Sequence, residues 1–202
     1  MRAMNPVVVA IVAYLVGSIS FAVIVSRAFA LPDPRSYGSR NPGATNVLRT
    51  GRKLAALLTL AGDAAKGVVA VVAAHRFGDD PALAAAVAAV AVVLGHVFPL
   101  YHRFAGGKGV STAAGALFGL NLWLGAGTLA TWILIAAFFR ISSLAALVAA
   151  VFAPVAAAVL YDVRHEYFAG VLAIAAILVA RHKSNITNLL AGTEGRIGER
   201  AS

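Results

Sequence analysis

The chain has no cysteine, which removes disulfides, thiolate catalysis and cysteine-ligated metals together. Charge is scarce too: Asp, Glu, Lys and Arg make up 12% of its 202 residues, and only 8 side chains are acidic. The five histidines, at positions 75, 96, 102, 165 and 182, show no metal-ligand spacing, so neither a metal nor another cofactor is expected. No period of 20 to 50 residues and no linker divides the sequence, which reads as a single domain over residues 1–202.

What is abundant is apolar surface. Hydrophobic residues make up 60% of the chain and mean hydropathy is +0.84, more than a soluble fold of this size can hide. The expected solvent is a bilayer, and the expected fold an all-α polytopic helical bundle. The formal charge of +9 then reports basic loops on the cytoplasmic side rather than nucleic-acid binding, since no basic helix with interleaved aromatics is present. Val7 to Val25 is read as a retained span despite the small-x-small run Ala28-Phe29-Ala30, because its core is too long for a signal peptide and Arg27 adjoins it.

Further apolar segments run from Leu54 to Ala74, Ala82 to Leu100, Val110 to Phe139, Ile141 to Leu160 and Tyr167 to Ala180. Basic residues gather between Arg27 and Lys53, around Arg103 and Lys108, and at Arg181, Lys183, Arg196 and Arg200. Placing all three groups in the cytoplasm requires the long Val110–Phe139 stretch to split, with the break expected near Leu124-Gly125-Ala126-Gly127. About seven spans follow, N-terminus outside and C-terminus cytoplasmic; an unsplit helix gives six.

The three basic segments share glycine, cations and hydrogen-bonding side chains. In Gly38-Ser39-Arg40-Asn41-Pro42-Gly43-Ala44-Thr45-Asn46, proline keeps Asn41 out of helical geometry and the glycines permit turns that expose successive amides, an anion-binding arrangement. Thr45 or Asn46 is placed to cap a helix starting near Val47. The second segment runs from Gly95-His96-Val97-Phe98-Pro99 to Gly106-Gly107-Lys108-Gly109 and lets backbone and ammonium approach one anion, without the spacing of a nucleotide-binding loop. In the third, His182 and Asn185 share a helical face if the last span continues. Taken singly, the first segment also reads as an ordinary interhelical turn, the second as a snorkelling lysine beside a loop, and the third as a helix-terminal histidine interacting with the helix dipole. Asp63 and Lys66, three apart inside a span, read as an ion pair facing the bundle, or as support for a phosphate site.

In order and together these motifs resemble the PlsY family of bacterial acyl-phosphate:glycerol-3-phosphate acyltransferases. The likeness covers G-S-x-N-P-G-A-T-N-V-x-R, G-H-x-F-P with F-x-G-G-K-G-V, and H-x-x-N-I with G-x-E, as well as Gly17-Ser18-Ile19 and Gly62-Asp63-Ala64-Ala65-Lys66-Gly67. Arg40 departs from the family's usual glycine, and Ser20 from a common proline. The resemblance implies acyl transfer from acyl phosphate to the 1-hydroxyl of sn-glycerol 3-phosphate, at the cytoplasmic side of a bacterial inner membrane. It carries catalytic roles onto Ser39, Arg49, Lys108, His182 and Asn185. It carries substrate contacts onto Asn41, Gly43, Ala44, Thr45, Asn46, Gly106, Gly107 and Gly109. Supporting roles fall to Glu194, Asp63, Lys66 and His96. The implied partners are the two substrates and membrane lipid. A thioester donor such as acyl-CoA is disfavoured, on the reading that the sequence has no H-x-x-x-x-D pair of the kind found in enzymes that use one. The rivals are an anion transporter and a lipid phosphatase.

Overall fold

The computed structural model describes residues 3–198; Arg200 and the ends of the 1–202 domain lie outside them. The described chain is all helical apart from one isolated bridge between Met4 and Gly78. Ten α-helices follow in order: α1 (Pro6–Gly17), α2 (Phe21–Ala28), α3 (Ala44–Leu48), α4 (Lys53–Phe77), α5 (Pro81–Val97), α6 (Val110–Leu120), α7 (Leu122–Phe139), α8 (Ser142–Tyr161), α9 (Glu166–Arg181) and α10 (Lys183–Leu190). Five spans are long and apolar enough to cross a bilayer: α1 with α2, α4, α5 with the 3₁₀ turn after it, α7 and α8. The bent pair α9 and α10 makes a sixth if it is one span. Large side chains such as Phe138 and Val159 are each 82% exposed, a surface suited to lipid and costly in water.

Local chemistry sets the boundaries. Asn5 caps α1 and Asp80 caps α5, each followed by proline at the first helical position, where the missing N–H costs nothing. Ser18 marks the α1/α2 break: its hydroxyl donates to Tyr14 O and accepts from Leu100 N. The Val110–Phe139 stretch does split, but at Asn121 rather than at the glycines near residue 125. The Asn121 side chain accepts from the amides of Trp123 and Leu124 and so starts α7, which carries Gly125 and Gly127 inside it. Sequence reading favoured the glycines because they weaken helices; the cap proved the stronger local signal.

Small residues allow the helices to close on one another. A side chain at Gly67 would collide with the backbone of Thr112 and Ala116, and one at Gly115 with that of Ala64, so α4 and α6 pack backbone to backbone. The core is lined by α5, whose alanines and valines are buried around much of its circumference. Helix direction then fixes where the polar segments lie. The start of α4, the end of α5, the starts of α6 and α8 and the end of α9 point to one end of the bundle, while Met4, Phe77 and Asp79 pair at the other.

Candidate active site

At the end where the polar segments gather, a cavity of about 1370 Å³ opens. Ser39, Asn41, Gly43, Ala44, Thr45, Asn46 and Arg49 from the first segment, His96, Lys108 and Gly109 from the second, and His182, Asn185 and Glu194 from the third all line it. The three stretches expected to share one face of the membrane therefore share one site. Below its polar mouth the cavity continues between α6, α8 and α9, against Leu117, Ala149, Ala153, Val171 and Ile174.

The first segment is held by its own side chains. Asn46 accepts from Ser39 N (3.1 Å) and donates to Pro34 O (2.7 Å) and Tyr37 O (3.2 Å). It is buried, and its amide clasps the loop rather than capping a helix; Gly43 is the residue before α3, and Thr45 lies within the first turn. Two of the amides expected to cradle an anion are already engaged, Gly43 N with Asn41 O and Asn46 N with Gly43 O. Ala44 and Thr45 occupy the first two helical positions, where a helix offers its N–H groups no internal acceptor. Arg49 follows α3 and its guanidinium borders Gly38. Arg40, at φ 55°, holds the left-handed geometry that glycine adopts more easily.

In the second segment, Gly106 and Gly107 do not line the cavity. A side chain at Gly106 would strike His96 O and Pro99, and one at Gly107 would strike the His96 ring. Both glycines serve close packing against the end of α5, and Gly107 N donates to His96 O (3.2 Å). This packing turns Lys108 into the cavity. Its Nζ donates to Asn185 Oδ1 (2.5 Å), and Asn185 Nδ2 donates to Glu194 Oε1 (2.6 Å). Burial pushes the Lys108 ammonium below the ordinary lysine range; Glu194 opposes that shift, while Arg181 and Arg49 add to it. His182 is 2% exposed and its Nδ1 lies 2.7 Å from Leu178 O. A carbonyl only accepts, so Nδ1 carries hydrogen and the Nε2 of the neutral ring keeps its lone pair.

Behind the site, Lys66 Nζ meets Asp63 Oδ1 (2.8 Å), Gly17 O (2.9 Å), Ile19 O (2.6 Å) and His96 Nδ1 (3.0 Å). Thr112 Oγ1 lies 3.0 Å from the same imidazole nitrogen. The ion pair faces the bundle interior and its ammonium also satisfies carbonyls freed by the α1/α2 break; neither residue lines the cavity. His96, the structural hydrogen-bonding residue expected near a helix end, links this cluster to the glycine loop. Among the described residues no group of three or more His, Asp or Glu side chains is close enough to hold a metal ion.

Comparison with known proteins decides the family. The family described as glycerol-3-phosphate acyltransferase matches residues 7–192. The chain belongs to the glycerol-3-phosphate acyltransferase family. Among its relatives, the glycerol-3-phosphate acyltransferase of Cupriavidus metallidurans is 59% identical over 95% of this chain and 96% of its own length. That of Ralstonia pickettii is 59% identical over 98% of both. Crystal structures of PlsY, an integral membrane glycerol 3-phosphate acyltransferase, superpose with TM-scores of 0.88 for the glycerol 3-phosphate form and 0.86 for the lysophosphatidic acid form. They are 34% and 33% identical, over 96% of this chain and 96% and 95% of theirs.

Family membership leaves one spacing to explain. The H-x-x-x-x-D pair does occur in this acyltransferase, from His75 to Asp80, outside the three segments. Asp80 there caps α5, and His75 lies exposed near the far end of α4; neither residue lines the cavity. Sequence reading also missed Ser143, buried in the cavity wall at the start of α8, whose hydroxyl donates to Glu194 Oε1 (2.6 Å). A serine early in a helix looks like a cap, and no neighbouring motif marks it otherwise.

Proposed function

We propose that the chain transfers a fatty acyl group from acyl phosphate to the 1-hydroxyl of sn-glycerol 3-phosphate, giving lysophosphatidic acid and inorganic phosphate for phospholipid synthesis. The observation that carries this reading is a single cavity with Lys108 and Arg49 at its mouth and an apolar extension below. Both substrates are phosphate anions and one has a long tail; clustered cations offset their mutual repulsion, and the apolar walls take the chain.

In the reaction, the glycerol O1 bonds to the acyl carbonyl carbon and the bond from that carbon to the phosphate oxygen breaks, its electron pair leaving with phosphate. Lys108 and Arg49 neutralise the phosphates, while Ser39, His182 and Asn185 hold the glycerol backbone. Asn41 and the amides of Ala44 and Thr45 face the acyl phosphate, and Gly109 keeps the backbone beside Lys108 close to it. The hydroxyl proton passes to His182 Nε2 or to the leaving phosphate. An acyl phosphate is already activated, so alignment supplies much of the acceleration, about 7 to 11 kcal/mol in favourable cases. A serine-nucleophile route has little support: among the described residues Ser39 Oγ makes no hydrogen bond to an imidazole or carboxylate.

The same reading puts the cavity mouth on the cytoplasmic side of a bacterial inner membrane. The chain would make seven passes, with the short α6 counted as one, the N-terminus outside and the C-terminus inside. The test is purified protein with acyl phosphate and labelled glycerol 3-phosphate, with acyl-CoA and acyl carrier protein thioester as alternative donors. Product from acyl phosphate alone supports the reading. Product from a thioester, or none from any donor, overturns it.

A further inference from the structure

Glu194 follows α10 in a segment without regular secondary structure, yet its Oε1 accepts two hydrogen bonds of 2.6 Å, from Asn185 Nδ2 and from Ser143 Oγ. The first bond orients an amide. With its nitrogen turned to the carboxylate, Asn185 must turn its oxygen to Lys108 Nζ; the reversed amide would aim N–H groups at an ammonium. The second bond fixes the carboxylate itself. Ser143 is only 5% exposed and belongs to α8, whose start is also tied to the same segment by Ile197 N donating to Arg140 O (2.7 Å).

Ser143 would ordinarily be spent on its own helix. The residue before α8 is Ile141, no side chain caps this helix, and the Ser143 hydroxyl is directed across 51 positions of sequence to Glu194 instead. A charge-assisted bond of this kind, from a regular helix to an irregular segment, restrains the segment and not the helix.

We infer that Ser143 is a positioning residue of this acyltransferase: through Glu194 it sets the Asn185 amide, and through that amide the place of the Lys108 ammonium. It acts on the polar half of the cavity, because the groups it sets are Asn185 and Lys108 while the apolar walls are made by other side chains. This rests on the acyl-transfer reading above for the identity of the two substrates.

The experiment measures kcat and both KM values for Ser143→Ala, Ser143→Thr and Glu194→Gln in detergent-purified protein of normal size-exclusion profile. Ser143→Ala should lower kcat/KM for glycerol 3-phosphate about tenfold while the KM for acyl phosphate moves less than about twofold. Ser143→Thr keeps the hydroxyl and should recover most of the loss. Glu194→Gln should show the same split, and adding Ser143→Ala to it should cost little more, since both act through one oxygen. Equal losses for the two substrates, no loss, or failure of threonine to rescue would overturn the inference. Equilibrium binding of labelled glycerol 3-phosphate separates the two proposals. Weaker binding in Ser143→Ala, with no turnover in the parent protein, would keep the positioning role and sink the transfer reading. Equal binding would sink the positioning role.

Discussion

Lys108 Nζ and Asn185 Oδ1 stand 2.5 Å apart although 77 positions separate them in sequence. One residue comes from a glycine loop ahead of α6 and the other from α10, so this contact joins the second and third polar segments in one site. Substituting Lys108 by Met should lower kcat/KM by about 10² to 10³, the range for removing one preorganised charge-stabilising donor. Lys108→Arg should recover part of it, limited by the larger guanidinium. Steady-state kinetics with both substrates checks this.

The alkaline limb of the pH profile follows from the same lysine. In the proposed reaction the ammonium is the form that pairs with phosphate, so activity should be present below its pKa and lost above it. Burial lowers that pKa from the ordinary 10.5. The alkaline limb of kcat/KM for glycerol 3-phosphate, which reports the free enzyme, should therefore begin below the pH at which a free lysine titrates. Glu194 works against the shift, and Glu194→Gln should move the limb lower still.

His182 offers an Nε2 lone pair because its Nδ1–H is given to Leu178 O. If that nitrogen takes the hydroxyl proton, His182→Gln should cut kcat by about 10² to 10⁴ and erase an ionisation from the pH–rate profile. A profile of unchanged shape would assign the proton to the acyl phosphate's own oxygen.

Lys66 and Asp63 are 5% and 1% exposed, so removing either leaves the other charged and buried. Lys66→Met should destabilise by about 3 to 5 kcal/mol, and the double variant Lys66→Met with Asp63→Leu should recover much of it. Thermal unfolding in detergent reads both.

Arg40 pays about 1 kcal/mol for its left-handed backbone. Arg40→Gly should relieve that strain, partly offset by a more flexible unfolded chain, leaving stability level or slightly raised. Arg40 also lines the cavity, so loss of its charge should raise the KM for glycerol 3-phosphate by about twofold to threefold, less at high salt.

Much of this was legible in the sequence because glycine, proline and cations are conspicuous in an apolar chain. The helical bundle and the split of the long fourth stretch follow from composition and charge placement, and the meeting of Ser39, Lys108 and Asn185 from the likeness of the three segments to a known family. What escaped was decided by three-dimensional neighbours. Gly106 and Gly107 carry the same backbone freedom whether they face a ligand or a helix end, and only the His96 ring shows which. Asn46 has the same side chain as a capping residue, but its acceptors are the carbonyls of Pro34 and Tyr37. The alanines lining the apolar extension look like any other alanines in a membrane helix.

The brevity of α6 reaches beyond the site itself. With 11 residues against 18 in α7, and Asn121 alone between them, its first turn stops about 10 Å short of the end of its neighbour. At about 16 Å, α6 is roughly half as long as the usual oily thickness of a bilayer. With α6 counted as a pass, as proposed above, the transmembrane voltage would fall over a shorter path there, and an anion descending toward Lys108 would travel through part of the electric field. Turnover in energised vesicles should accordingly differ from turnover in leaky ones.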